Sequence, residues 1–161
     1  MPDSKPYGPG KKIRLDRTLY EAANRAYFLT IGAYQGRKLF CRDDLNQCVL
    51  DVLAEQAATS GCRVFSYCLM PDHLHFLVSP DRDGVSVLTF ADRFKGKSTN
   101  RSWSVGHQGK LWEPRYHDHI VRKNEDLAEI ARYILNNPVR KGLCDCAEAW
   151  TWSGQMNPLP L

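Results

Sequence analysis

No stretch of this sequence is long and apolar enough to read as a membrane segment, because no run approaches the roughly 18–20 residues that a span requires. The amino-terminal residues are polar and lack the pattern of a secretory signal. A soluble, cytoplasmic protein is therefore expected. Paired CxxC spacing is missing too. The six cysteines (Cys41, Cys48, Cys62, Cys68, Cys144 and Cys146) are scattered, which argues against a zinc site. Most lie in apolar periodic segments and read as reduced, mostly buried thiols. No internal repeat is present, so solenoid architectures are excluded. At 161 residues the chain has the length of one domain rather than of a multi-domain machine. What remains is ordinary globular composition, 43% hydrophobic and 25% charged, which excludes disorder and fibrous folds.

The net charge of +4 says little until it is located. Residues 93–123 hold eight cations (Arg93, Lys95, Lys97, Arg101, Lys110, Arg115, Arg122 and Lys123) against two acids, Glu113 and Asp118, a local balance of +6. Phe94, Trp103, Trp112 and Tyr116 are interleaved with them. Cations that release counterions, beside rings on which bases stack, make a surface for nucleic acid, single strands in particular. The plainer reading is a solvated face with core aromatics.

Along the chain, residues 1–12 carry Pro2, Pro6, Gly8, Pro9 and Gly10 and read as a flexible lead-in. Residues 25–34 (RAYFLTIGAY) have strand composition. Asp43 and Asp44 can cap a helix running to Thr59, with Gln47 completing the box and Gly61 as the stop. Residues 63–69 and 73–79 are strand-like and joined through Met70-Pro71-Asp72, which suits a hairpin. A second helix is expected over 84–101, a loop over 103–114, a fourth strand over 115–122, and a last helix after a cap at Asn124, ended by Pro138. No clear periodicity follows Gly142. The order β-α-β-β-α-β-α predicts an α+β fold, a ferredoxin-like antiparallel sheet covered by helices.

Two HxH pairs stand out. His73 and His75 flank Leu74 in a strand-like run, so period two sends both imidazoles to one face and Leu74, Phe76 and Val78 to the other. Such a pair is half of a divalent-metal site, or else two hydrogen-bonded histidines. His117 and His119, around Asp118, have the same spacing. The first pair lies in the more apolar strand, but the residues alone do not separate the two. Tyr133 lies near the end of the last helix with Asn137 one turn later. A tyrosine hydroxyl can attack phosphorus when nearby cations stabilise the developing charge, and the Asn137 amide oxygen can serve as a third metal ligand. A tyrosine at the edge of an amphipathic core is the plainer account.

Residues 70–78 (MPDHLHFLV) resemble the HUH segment of single-tyrosine bacterial transposases. Residues 112–122 (WEPRYHDHIVR) look like the segment that precedes their last helix, and 133–143 (YILNNPVRKGL) resemble their tyrosine helix and its exit. The subgroup most resembled is the REP-associated tyrosine transposases, over about residues 27–153. On this resemblance residues 13–153 form the HUH transposase domain and 154–161 a tail. His73 and His75 match the metal-binding histidines, Tyr133 the nucleophile, and Asn137 the polar ligand, which is often Gln in related insertion-sequence enzymes. His117 and His119 fall outside that set.

The resemblance implies a metal-dependent DNA transposase that cleaves and rejoins single-stranded hairpin DNA through a 5′-phosphotyrosine intermediate. It also implies Mg²⁺ or Mn²⁺ as cofactor, palindromic or hairpin DNA as partner, and a homodimer. Arg93, Lys95, Lys97, Arg101, Trp103, Lys110, Trp112, Arg115 and Arg122 are the expected DNA contacts. The competing functions are a DNA-binding regulator without catalysis and an HUH-type single-strand nuclease.

Overall fold

The computed structural model describes residues 16–122 and 125–160. The lead-in expected over 1–12 and the cap expected at Asn124 lie outside the described residues. Five strands, β1 (Tyr27–Gly32), β2 (Cys62–Met70), β3 (His73–Pro80), β4 (His117–Ile120) and β5 (Ser153–Gln155), form one sheet in the order β4-β1-β3-β2-β5. Every pairing is antiparallel. With α1 (Asp43–Thr59) and α2 (Val87–Ser102), the first four strands make the ferredoxin-like β-α-β-β-α-β unit that the order of segments predicts. Two further helices, α3 (Leu127–Leu135) and α4 (Asn137–Arg140), follow β4.

The sheet separates two cores. On one face Leu74, Phe76 and Val78 of β3 pack with Val49 and Leu53 of α1 and Phe90 and Phe94 of α2. On the other, Phe28, Cys68, Met70 and Leu77 pack with Ile130 and Ile134 of α3. Period two in β3 thus sends alternate residues to the two cores, as its sequence predicts.

Several element boundaries differ from the sequence reading for local reasons. Helix α1 begins at Asp43 after Arg42, which provides no side-chain cap. Asp44 instead binds Arg42 and the Leu45 amide (2.8 Å), and Gln47 reaches forward to Asp51 (2.8 Å) rather than back. Helix α2 starts at Val87 rather than Gly84, capped by the Ser86 hydroxyl, which accepts from the Thr89 amide. Asp126 caps α3, accepting from the Ala128 amide at 2.8 Å. The apparently aperiodic end of the chain is packed, because β5 joins the β2 edge and the Met156 amide donates to Phe65 O (2.8 Å). A tail beginning at 154 is therefore too early. Of the six cysteines, all free, Cys48, Cys62 and Cys68 are buried, whereas Cys41 and Cys146 are exposed. Burial is thus less general than the sequence suggests.

Candidate active site

The hairpin that carries the histidines is set by its turn. Pro71 and Asp72 connect β2 to β3, and Met70 pairs directly with His73. The turn is pinned from outside, since the Ala33 amide donates to Asp72 O and the Phe40 amide to Pro71 O, each at 2.9 Å. His73 therefore enters the sheet at a fixed register opposite Gly32, and His75 opposite Thr30.

Both imidazoles are oriented through Nδ1. His73 Nδ1 lies 2.7 Å from the Asp72 carboxylate, which can only accept, so this nitrogen carries a proton. His75 Nδ1 lies 2.7 Å from the Thr30 hydroxyl. The two Nε2 atoms then face one another at 3.0 Å. Neighbouring ligands of an octahedral ion, each about 2.1 Å from it, are separated by about 3.0 Å. Asn137, 2% exposed, brings its Nδ2 to 3.2 Å from His73 Nε2. His73 Nε2 offers one lone pair, and Asn137 Nδ2 and His75 Nε2 both approach it. As the side chain stands, the Asn137 Nδ2 donates to His73 Nε2, while its Oδ1 is turned to Arg140. Among the described residues no group of three or more His, Cys, Asp or Glu could hold a metal ion; the groups that meet here are two imidazoles and one amide.

Tyr133 comes from α3. The helix ends at Leu135, Asn136 follows in a helical conformation, and Pro138 sits in the first turn of α4. Proline is tolerated there because its missing N–H would have no helical partner. The break lets Asn137 turn inward one turn after Tyr133. The Tyr133 ring packs edge-on to His75 (centroids 6.4 Å) and to Phe28 (6.3 Å). The Arg140 guanidinium lies 3.7 Å above the same ring, donating to Tyr133 O (2.9 Å) and to Asn137 Oδ1 (3.0 Å).

The structure thus brings together His73, His75, Tyr133 and Asn137, the four residues that sequence and resemblance single out. Asp72, Thr30, Phe28 and Arg140 complete the group. Asp72 and Arg140 had a local signal, one residue before His73 and one turn after Asn137. Thr30 had none, since only strand register places it beside His75. The rival pair is arranged otherwise. His119 binds the Glu125 carboxylate at 2.9 Å and His117 is exposed, both on β4.

The expected DNA contacts divide. Trp112 is a correction. It is 4% exposed, packed between Phe40 and Phe94, with its indole N–H on Ser98 Oγ (2.8 Å), so it offers no ring to a base. Phe94 and Tyr116 are buried as well, and only Trp103 of the four rings is open, at 53%. Arg93, Lys95, Lys97 and Arg101 belong to α2, across the sheet from the imidazoles. Arg101 is tied to Glu55 at 2.7 Å, and Lys95 donates to Pro114 O. Arg122 lies just past β4, by the strand end where Tyr27 pairs with Ile120. The 103–114 loop differs, because Leu111 O accepts from the Tyr34 amide and the Glu113 amide donates to Gly32 O. Lys110 and Trp103 are therefore anchored at the His73 end of the sheet, and Arg115 follows directly.

The description "Transposase IS200 like" fits residues 24–137. A Haemophilus influenzae protein described as a REP-associated tyrosine transposase is 24% identical over 142 residues, 79% of this chain and 77% of that protein. The ISDra2 transposase TnpA of Deinococcus radiodurans is 33% identical over 91 residues, 52% of this chain and 64% of that protein. The solved REP-associated tyrosine transposase bound to a REP hairpin superposes with a TM-score of 0.73 at 18% identity, covering 89% of this chain and 81% of that one. With the family matching more than two thirds of its length, this chain belongs to the IS200-like transposases.

Proposed function

We propose that this transposase cuts and rejoins single-stranded hairpin DNA with Tyr133 as the nucleophile. The observation that carries the reading is the placement of Tyr133 against His75 and, through Arg140 and Asn137, against His73. The Tyr133 oxygen attacks the scissile phosphorus. The bond from phosphorus to the 3′ oxygen breaks, leaving a 5′-phosphotyrosine, while the phenol proton is lost and the departing oxygen becomes a 3′-hydroxyl. Attack by a 3′-hydroxyl on the phosphotyrosine reverses the step and rejoins strands, so no external energy source is required. His73 Nε2, His75 Nε2 and the Asn137 amide are the groups that would hold Mg²⁺ or Mn²⁺; the ion, when bound, polarises the phosphate. Imidazole ligation favours Mn²⁺ of the two. Asp72 and Thr30 hold the rings so that both Nε2 atoms converge.

Trp103, Lys110 and Arg115 supply stacking and phosphate-binding groups at the His73 end of the sheet, in addition to Arg140 beside Tyr133. The solved relative bound to a REP hairpin supports DNA of that form as the partner. No described helix is long and apolar enough to cross a membrane. The homodimer that the resemblance implies belongs to the same proposal.

The test is a denaturing gel of labelled hairpin DNA with Mg²⁺ or Mn²⁺. Wild type should give a protein-linked 5′ end and a free 3′ end, and Tyr133→Phe should give neither while still binding DNA. Cleavage by Tyr133→Phe without a covalent link would indicate a water-driven nuclease. Binding without cleavage by wild type would indicate a regulator.

A further inference from the structure

We propose that Arg140 is a positioning residue that competes with the divalent cation for the Asn137 amide oxygen, coupling metal entry to the hold on Tyr133. The inference rests on reading His73, His75 and Asn137 as the donor set. One guanidinium makes three contacts at once. It covers the Tyr133 ring at 3.7 Å, donates to Tyr133 O at 2.9 Å, and donates to Asn137 Oδ1 at 3.0 Å. The ring of the nucleophile and the third donor are thus held by the same charged group.

The amide has two ends, and only one of them binds metal. As the structure stands, Oδ1 faces Arg140 while Nδ2 faces His73 Nε2 at 3.2 Å. For Oδ1 to join the imidazoles the amide must turn over. That turn would set the Nδ2 hydrogens against the guanidinium hydrogens, donor against donor, since a guanidinium has no acceptor to offer. Arg140 therefore has to release Asn137 before the donor set closes. Its Nε is buried without a hydrogen-bond partner, so the present arrangement leaves that donor unsatisfied. A DNA phosphate offers the paired oxygens that a guanidinium fork binds best. Arrival of the phosphate draws Arg140 away, frees Asn137 Oδ1 for the cation, and uncovers one face of the Tyr133 ring. The donor set closes once substrate is in place.

The sign of this effect separates it from a merely structural role. Mn²⁺ titrations of the full chain without DNA, followed by the electron paramagnetic resonance of free Mn²⁺, read it directly. Arg140→Gln removes the charge and should bind Mn²⁺ roughly tenfold more tightly than wild type, on the scale by which neighbours of metal ligands tune affinity. Arg140→Lys keeps the charge but loses the fork, and should fall between wild type and Arg140→Gln. Circular dichroism melts identify which variants are folded, and Arg140→Lys gives the answer if Arg140→Gln does not fold. Binding equal to or weaker than wild type in a folded variant overturns the proposal. Absence of Mn²⁺ binding by wild type, or unchanged binding by His73→Ala, would instead overturn the donor set itself.

Discussion

At the scale of single residues, the chemistry depends on how Nδ1 is held. Asp72 and Thr30 each occupy one Nδ1 at 2.7 Å, which leaves both Nε2 atoms converging at 3.0 Å. Mn²⁺ binding by calorimetry should therefore be lost in His73→Ala and in His75→Ala and remain near wild type in His117→Ala. Loss only in His117→Ala would mean that β4 carries the metal. Asp72→Asn keeps the size of the side chain but replaces an obligatory acceptor with an amide. It should weaken Mn²⁺ binding by roughly 10- to 100-fold, and unchanged affinity would remove Asp72 from the site. The histidine spacing, the tyrosine and the asparagine one turn on were all legible in the sequence because each signal is local. Thr30 was not, because it lies 45 positions from His75 and only the β1–β3 register joins them. Trp112 misled for the converse reason. A tryptophan among cations looks the same in sequence whether its ring faces water or, as here, fills the gap between Phe40 and Phe94.

At the scale of elements, α3 holds Tyr133 in place because Ile130 and Ile134 are buried against the sheet on the Phe28 side. Ile134→Ala should cost about 2–5 kcal/mol in chemical denaturation, and should slow adduct formation more than DNA binding as the Tyr133 ring loses its fixed seat. Equal loss of both would argue that α3 belongs to the DNA surface instead. Helix α2 is amphipathic as its sequence says, yet its cations face away from the imidazoles. Lys110→Gln and Arg115→Gln, at the His73 end of the sheet, should each reduce the slope of log affinity against log salt by up to about 1, whereas Arg93→Gln should leave it unchanged. The opposite pattern would place the DNA on the α2 face. The Arg101 hydrogen bond holds the Glu55 carboxyl below its ordinary range. The pair is thus intact above that range and lost as pH falls through the lowered value, so Arg101 is neutralised by its partner at working pH. Helix and strand types were legible from periodicity. Starts were less so, because Ser, Asp and Gly compete as caps within a few residues, and Ser86 prevailed over Gly84.

At the scale of the whole molecule, the fold class followed from element order, while β5 did not. Three residues of strand have no periodicity to detect, and Ser153–Gln155 is held by pairing with β2 rather than by its own propensity. Burial pushes the Cys62 and Cys68 thiols up to about 12. At about pH 8, alkylation followed by peptide mass spectrometry should therefore mark Cys41 and Cys146 first and spare those two until unfolding. Within one chain Tyr133 packs against that chain's own His75. A mixture of Tyr133→Phe and His73→Ala chains should stay inactive if each tyrosine serves its own histidines. Restored adduct formation would show that partners exchange their α3 helices. Whether Tyr133 itself carries the DNA is read most directly by mass spectrometry of the digested adduct from wild-type protein and hairpin DNA. A nucleotide phosphate on the peptide containing Tyr133 is the expected result, and the same mass on a peptide containing Tyr116 or any other residue would contradict it.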